Sequence, residues 1–429
     1  LITIYDRNYP ATPEGLKKYI NNCFAYWRNK INEKHGIKTG HLNDTNLSRA
    51  QKILRGDFGV VPSLKADLKE LNESLIELTQ EQYRYLSMLN QNPRLIISGR
   101  AGTGKTLIGV EHAKRLAVKG KKVLILFYNK LIAHNIKEKF TDEELEHIDI
   151  NNFHNFINEI VLKYKEEETQ NYDKNYFNEI LPSEFLDYVG FSDYQNYYDA
   201  LIVDEGQDLI KNNYLFCMDE ILKGGLDKGN WLFFHDPAQN IYNDEFEDSL
   251  QLLENYRPVS LNLTINCRNT KEIGDYNTTL TEFDTGEEFR IDGGKVNLHS
   301  YSTQAEQRKK VLNIVKNLLS EGIKPGEIVI LSQNKLENSF LDNNNIFKEV
   351  APFVDLREDI SKYHSEDHLK FSTIHSFKGL ESNVVILTDL DDTESNYSRL
   401  INYTAVSRAK ILLHVLYNED LKSKLVKSL

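Results

Sequence analysis

Gly99-Arg100-Ala101-Gly102-Thr103-Gly104-Lys105-Thr106 fits G-x-x-x-x-G-K-[ST] and decides the fold. An apolar run, Leu95-Ile96-Ile97, precedes it and reads as a buried parallel strand. Leu107 to Lys114 follows and reads as a helix, which completes the strand–loop–helix context the motif needs. Gly99, Gly102 and Gly104 let the backbone around Thr103 fold tightly, so that several N–H groups face a phosphate. The helix N-terminus adds the positive end of its dipole. Lys105 reaches the β- and γ-phosphates of a nucleoside triphosphate, and the Thr106 hydroxyl is placed to hold Mg²⁺.

Outward from the loop, apolar strands alternate with helices. Lys122–Phe127, Ala200–Val203 and Trp231–Phe234 read as further buried strands of the same sheet. A second α/β block follows, with strands at Val296–Tyr301, Glu327–Leu331, Val384–Leu387 and Ile411–Val415. Helices are expected at Leu64–Leu78, Lys309–Leu319 and Tyr403–Lys410. The stretch between about His154 and Tyr198, rich in Tyr, Asn and Glu, is too polar for the sheet and reads as a short helical insertion. The division is therefore 1–75, an N-terminal region without a strong motif; 76–265, a first α/β domain with an insertion at about 155–198; and 266–429, a second.

Asp204-Glu205-Gly206-Gln207-Asp208 comes directly off the third strand of the first block. A carboxylate at the C-terminal end of a parallel strand beside a phosphate loop is where Mg²⁺ is held. Asp204 is the candidate metal group, with Thr106, and Glu205 the candidate general base on an attacking water.

The 429 residues carry a net charge of −12, which excludes coating nucleic acid through bulk charge but leaves a local groove open. Residues 1–75 run the other way, with 12 Lys/Arg against 8 Asp/Glu. No apolar run approaches the ~20 residues needed to cross a bilayer, and no signal peptide opens the chain. Cys23, Cys217 and Cys267 are far apart and suggest neither a disulfide framework nor a zinc site, so a reducing cytoplasm is expected. The first residue is Leu1 rather than Met, which reads as a fragment or a processed chain.

With these residues in place the chain resembles the superfamily 1 helicases of the UvrD/Rep type, over roughly Leu78 to Val415. Leu78-Thr-Gln-Glu-Gln82 is similar to the family's Q motif, and Phe127-Tyr-Asn129-Lys130 to motif Ia. Asn152-Phe-His154 resembles the strand-binding motif that follows, and Asp204 to Asp208 the DExxD form of motif II. His235-Asp-Pro-Ala-Gln239-Asn-Ile-Tyr242 resembles motif III, and Asn266-Cys-Arg268 motif IV. Thr373-Ile-His375-Ser-Phe-Lys378-Gly-Leu-Glu381 resembles motif V, and Tyr403-Thr-Ala-Val-Ser-Arg408-Ala motif VI.

The resemblance implies two RecA-like domains with ATP in the cleft between them, and hydrolysis coupled to movement along single-stranded DNA, or duplex with a single-stranded tail. It implies that Gln82 reads adenine, that Gln239 senses the γ-phosphate and that Glu381 holds the ribose. Arg268 and Arg408 would close on the γ-phosphate as arginine fingers do. Phe127, Asn129, His154, Tyr242, Thr373, His375 and Lys378 would meet the strand, Phe127 and His154 by stacking on bases. The wording of motif V resembles the DNA-tracking, 3′-to-5′ branch.

The chain departs from that pattern in three places. Cys267 stands where an adenine-stacking Tyr is usual, so Tyr83 or Tyr85 would have to supply the stack. Asp244 stands where a base-stacking Trp is usual, with Phe246 as a possible replacement. The stretch from Arg268 to Thr373 is too short for a large accessory domain, which fits a translocase or a partner-dependent helicase. The compact form resembles bacterial helicases that follow a nuclease-related (NERD) domain, some of which act against phage. Residues 1–75 hold no convincing nuclease core; Asn32-Glu33-Lys34-His35 is too weakly placed. A nuclease would lie upstream of Leu1 or on a separate subunit, or be absent. An ATP-gated binding switch that hydrolyses slowly is the rival reading, and motifs V and VI disfavour a kinase or GTPase.

Overall fold

The computed structural model describes residues 13–35, 85, 86, 88, 89, 92–165, 173, 175–239, 245–283, 288–289, 291–341 and 346–422. The expected helix at Leu64–Leu78 lies outside them. Residues 1–61 form one unit, whose described part is the helix Pro13–His35 with Phe24 and Tyr26 exposed. Residues 62–429 form the other.

In that second unit two six-stranded sheets are built from parallel pairs throughout. The first holds β1 (Arg94–Gly99), β2 (Val123–Phe127), β3 (Ile148–Asn152), β4 (Ala200–Val203), β5 (Asn230–His235) and β6 (Val259–Leu263), in the order β3-β2-β4-β5-β1-β6. A two-residue pairing of β7 (Ile265–Asn266) with β8 (Glu288–Phe289) follows. The second sheet holds β9 (Lys295–Tyr301), β10 (Ile328–Ser332), β11 (Phe353–Asp355), β12 (Leu369–Thr373), β13 (Ser382–Leu390) and β14 (Ala409–Asn418), in the order β11-β12-β10-β13-β14-β9.

Continuous apolar strands such as β2 (VLILF) and β10 (IVILS) are buried at every residue because apolar clusters cover both faces. This is the α/β fold with two RecA-like domains that the sequence implies.

Four strands of the two sheets are not expected from the sequence, because they carry no such run. β3 (IDINN) and β6 (VSLNL) are sheet edges, each with one neighbour, and so tolerate polar residues. β11 is also an edge, three residues long. β12 is fully buried, but Lys370 interrupts its apolar pattern; the ammonium donates to the Gly326 carbonyl at 2.5 Å and lies over the Tyr363 ring.

The helix expected at Tyr403–Lys410 is displaced: it spans Asn396–Val406, and Ala409 already begins β14. Ser395 caps its N-terminus by accepting from the Ser398 N–H, a signal that sets the start seven residues before Tyr403. Between His154 and Tyr198 the described chain is helical, with Phe153–Tyr164, a π turn at Tyr176–Ile180 and Leu181–Tyr188. Phe156, Ile157, Ile160 and Val161 bury one face of the first helix against the first sheet.

Candidate functional site

The phosphate loop leaves the C-terminal end of β1 and enters the helix Lys105–Val118. Gly102 and Gly104 have φ of +88° and +85°, the left-handed region that favours glycine. A Cβ on Gly102 would lie 2.4 Å from Asn266 Oδ1, so the loop also needs glycine for the close approach of the downstream segment. Thr103 is buried, its Oγ1 donating to the Arg100 carbonyl, while Gly99 packs against Thr103 and Leu263. The Lys105 ammonium donates to the carbonyls of Gly99 and Arg100 at 2.7 and 3.0 Å. Burial lowers its pKa, against the opposing pull of Asp236, Glu205 and Asp204.

Asp204 and Glu205 follow β4. Thr106 Oγ1 donates to Asp204 Oδ2 at 2.5 Å, so a hydroxyl and a carboxylate converge. Two hard oxygens suit Mg²⁺, which keeps waters and phosphate oxygens as its remaining ligands. Among the described residues no cluster of three or more His, Cys, Asp or Glu is placed to hold a metal ion. Burial, then the adjacent Glu205 carboxylate, push Asp204 up to about 6.

Glu205 has φ +54°, a strained conformation for a glutamate, and is nearly buried. Burial works to raise its carboxyl, but Lys378, Lys105 and Arg408 together with the Gln207 amide outweigh that and hold it below the ordinary range. A carboxylate kept ionised next to the phosphate loop is fit to accept a proton from water.

Groups from beyond β6 close over this site. Cys267 N–H donates to the Gly102 carbonyl at 2.8 Å, and Asn266 Nδ2 to the Ala101 carbonyl at 3.2 Å. Arg268 pairs with Glu381, Nε to Oε2 at 2.7 Å. Arg268, Lys410 and Lys139 outweigh burial and push Glu381 down to about 2. Arg408, 1% exposed, donates to the carbonyls of Thr404 and Leu380. Burial, then the charge of Arg268, lower it to about 10, while Glu205 pulls the other way. A cavity of about 650 Å³ opens between the two sides, lined by Gly102, Thr106 and Leu107 from one and by Cys267, Arg268 and Glu381 from the other. Gln239 is buried, its Nε2 donating to Asp236 Oδ2 at 2.6 Å.

The expected strand-contacting residues fare differently. Phe127 is 1% exposed and belongs to the apolar core under the first sheet, so it offers no ring to a base; Tyr128, one residue on, is only half-buried. The reason is register, because Phe127 is the last residue of a strand covered on both faces.

Asn129 also turns inward. It caps the helix Lys130–Lys137 and donates to the carbonyls of Ser376 and Lys378 at 2.7 and 3.2 Å. Lys378 is buried in an ion pair with Asp208, Nζ to Oδ2 at 2.5 Å, and so links the two domains instead of facing a strand. Asp208 is pushed up to about 6 by burial, against the pull of Lys378.

His154 sits among Tyr128, Phe153, Phe177 and Tyr214, its Nε2 3.0 Å from Tyr214 Oη. Burial, then Lys211 and Lys130, lower it to about 4. Thr373 is buried with its Oγ1 on Ser376 Oγ at 2.9 Å, and His375 Nε2 lies 3.0 Å from Tyr397 Oη. Gln82, Tyr83 and Tyr242 lie outside the described residues, as does Asp244. Phe246 is 3% exposed and packs on His235, so it does not replace the missing tryptophan; Tyr85 donates its hydroxyl to the Asn262 carbonyl.

Residues not singled out from sequence also build the site. Asn266 Oδ1 accepts from the N–H groups of Arg268 and Asn269, and Asn269 Nδ2 donates to the Ser407 carbonyl at 3.1 Å. They tie the phosphate loop to the stretch that carries Arg408. Both asparagines stand in or beside the Asn266–Arg268 motif, which was the available signal.

Two RecA-like sheets that meet over a single phosphate loop, with arginines supplied from the far side, are the arrangement of the helicases. A family model described as Schlafen group 3, DNA/RNA helicase domain, matches residues 93–325, more than half of the chain, and the chain belongs to that family. Residues 368–416 match the UvrD-like helicase C-terminal domain. No curated protein matches the chain.

Proposed function

We propose that the chain is an ATPase that moves along single-stranded DNA, and that ATP and Mg²⁺ bind where Lys105, Thr106 and Asp204 converge. The observation that carries this reading is the placement of Arg268 and Glu381 across the cavity from the phosphate loop, with the buried Arg408 close enough for its charge to act on Glu205. Lys105 and the loop N–H groups hold the phosphates, and Glu205 takes the proton of the attacking water. Arg268 and Arg408 answer the charge that develops in the transition state, with Gln239 nearby on the buried Asp236. Glu381, released from its pair with Arg268, holds the ribose in this reading. Since these groups come from both sides, nucleotide occupancy is coupled to the separation of residues 76–265 from 266–429, which we take as the two domains.

Tyr128 replaces Phe127 as the ring closest to a strand, with His375 on the other domain. The motif V wording supports 3′-to-5′ movement. The short span between Arg268 and Thr373 supports a chain that works with a nuclease domain or subunit, in phage defence or DNA repair. The test is ATP turnover with and without single-stranded DNA, and with RNA of the same sequence, beside Lys105→Ala. Strong stimulation by DNA, abolished by the substitution, is expected. Equal turnover with and without nucleic acid would overturn the motor.

A further inference from the structure

Tyr403 and Gln207 have no part in the scheme above, yet with Asp236 they form a polar chain from the second domain to Glu205. Tyr403 lies on the helix Asn396–Val406 and is fully buried beside Ala101, Ala238 and Phe283. Its Oη accepts from the Ala101 N–H of the phosphate loop at 3.1 Å and donates toward Asp236 Oδ2 at 3.4 Å. Asp236 is fully buried at the end of β5, and its carboxylate also accepts from Ala238 N–H and Gln239 Nε2. The Asp236 N–H donates to Gln207 Oε1 at 2.9 Å, and Gln207 Nε2 donates to Glu205 Oε2.

Geometry gives this chain a task. Glu205 has left-handed backbone, which its neighbours must hold in place, and among the described residues the Gln207 side chain donates a hydrogen bond to its carboxylate. Gln207 is in turn oriented through its oxygen by Asp236, which leaves its nitrogen for Glu205. The phenol is not required for packing, since a phenylalanine ring would fill the same space between Ala101, Ala238 and Phe283. Its hydroxyl touches both the phosphate loop and the carboxylate that anchors Gln239.

We propose that Tyr403 is a positioning residue for hydrolysis, which acts through Asp236 and Gln207 on the direction of the Glu205 carboxylate. Docking of the second domain thereby aligns the base in the first. The inference rests on the ATPase reading above and adds the route by which closure is felt at Glu205.

The experiment compares Tyr403→Phe, Gln207→Ala and the double variant for kcat and KM of DNA-stimulated ATP turnover, with thermal midpoints for each. Tyr403→Phe is expected to lower kcat about tenfold, the scale of one hydrogen bond to a charged group, with KM close to the parent and a midpoint lowered only by the loss of the acceptor for the Ala101 N–H. The double variant is expected to match Gln207→Ala, because two members of one chain do not add. Parental kcat in Tyr403→Phe, a loss confined to KM or the midpoint, or additive losses would each overturn the proposal. A parent chain that turns over no ATP would instead remove the reading beneath it, so the two failures are told apart.

Discussion

Phe127 and Tyr128 are neighbours in the chain with opposite physical positions. The Phe127 ring is sealed among Ile125, Ile132 and Ala133 in the core, whereas Tyr128 is half-buried beside His154. Truncating a buried phenylalanine removes its transfer free energy and leaves a cavity, at a cost of about 3–5 kcal/mol. Phe127→Ala should therefore lower the denaturation midpoint. Phe127→Leu, which keeps most of the volume, should leave strand affinity at the parental level. Tyr128→Ala should weaken strand binding by about 1–3 kcal/mol if its ring stacks on a base. Fluorescence titration with labelled single strands, beside urea melts, separates the two; a Phe127→Leu chain that folds normally but binds poorly would contradict the assignment.

At the scale of elements, the loops after β4 and β12 are locked by the Asp208–Lys378 pair and by Asn129 reaching the Ser376 and Lys378 carbonyls. Removing one member of a buried pair strands the other, at a cost of about 3–5 kcal/mol. Lys378→Met should destabilise by that order while Asp208 is ionised. Its folded pKa, already about 6 with the lysine present, rises further without it, so protonation relieves the burial as pH falls. The loss should be larger at pH 8 than at pH 5.5, read from urea melts at both; an equal loss would show that the charge is not what the lysine answers.

The same elements show what the sequence could and could not reveal. The apolar runs of β1, β2, β4, β5, β10 and β13 were legible because both faces of each are covered. The edge strands β3 and β6 were not, since each pairs with one strand only and carries polar residues among its apolar ones. The phosphate loop was legible because its chemistry is local. The wiring was not: Gln207 meets Asp236 across 29 residues and Asp236 meets Tyr403 across 167, separations that no spacing rule contains.

Across the whole molecule, buried histidines set how the fold answers acid. His112, His154 and His235 in the first domain and His414 in the second are each lowered to about 4, in every case chiefly by burial. Their ordinary value is 6.5, so the unfolded chain takes up these protons first as pH falls. Stability is full above pH 6.5 and is lost between there and about 4. At pH 5.5 each histidine costs on the order of 1 kcal/mol relative to pH 7.5. Asp204 and Asp208, raised to about 6, act in the opposite sense, because the folded chain protonates them first. Each returns less over the same interval than one histidine costs, too little to balance four histidines. The thermal midpoint should therefore fall from pH 7.5 to 5.5. His112→Leu should reduce that fall by one histidine's share, since the ring is 3% exposed and its Nδ1 has no hydrogen-bond partner to lose. Midpoints at the two pH values for parent and variant decide it. A parent that is more stable at pH 5.5, or a variant with an unchanged fall, would show that the buried histidines do not set the response to acid.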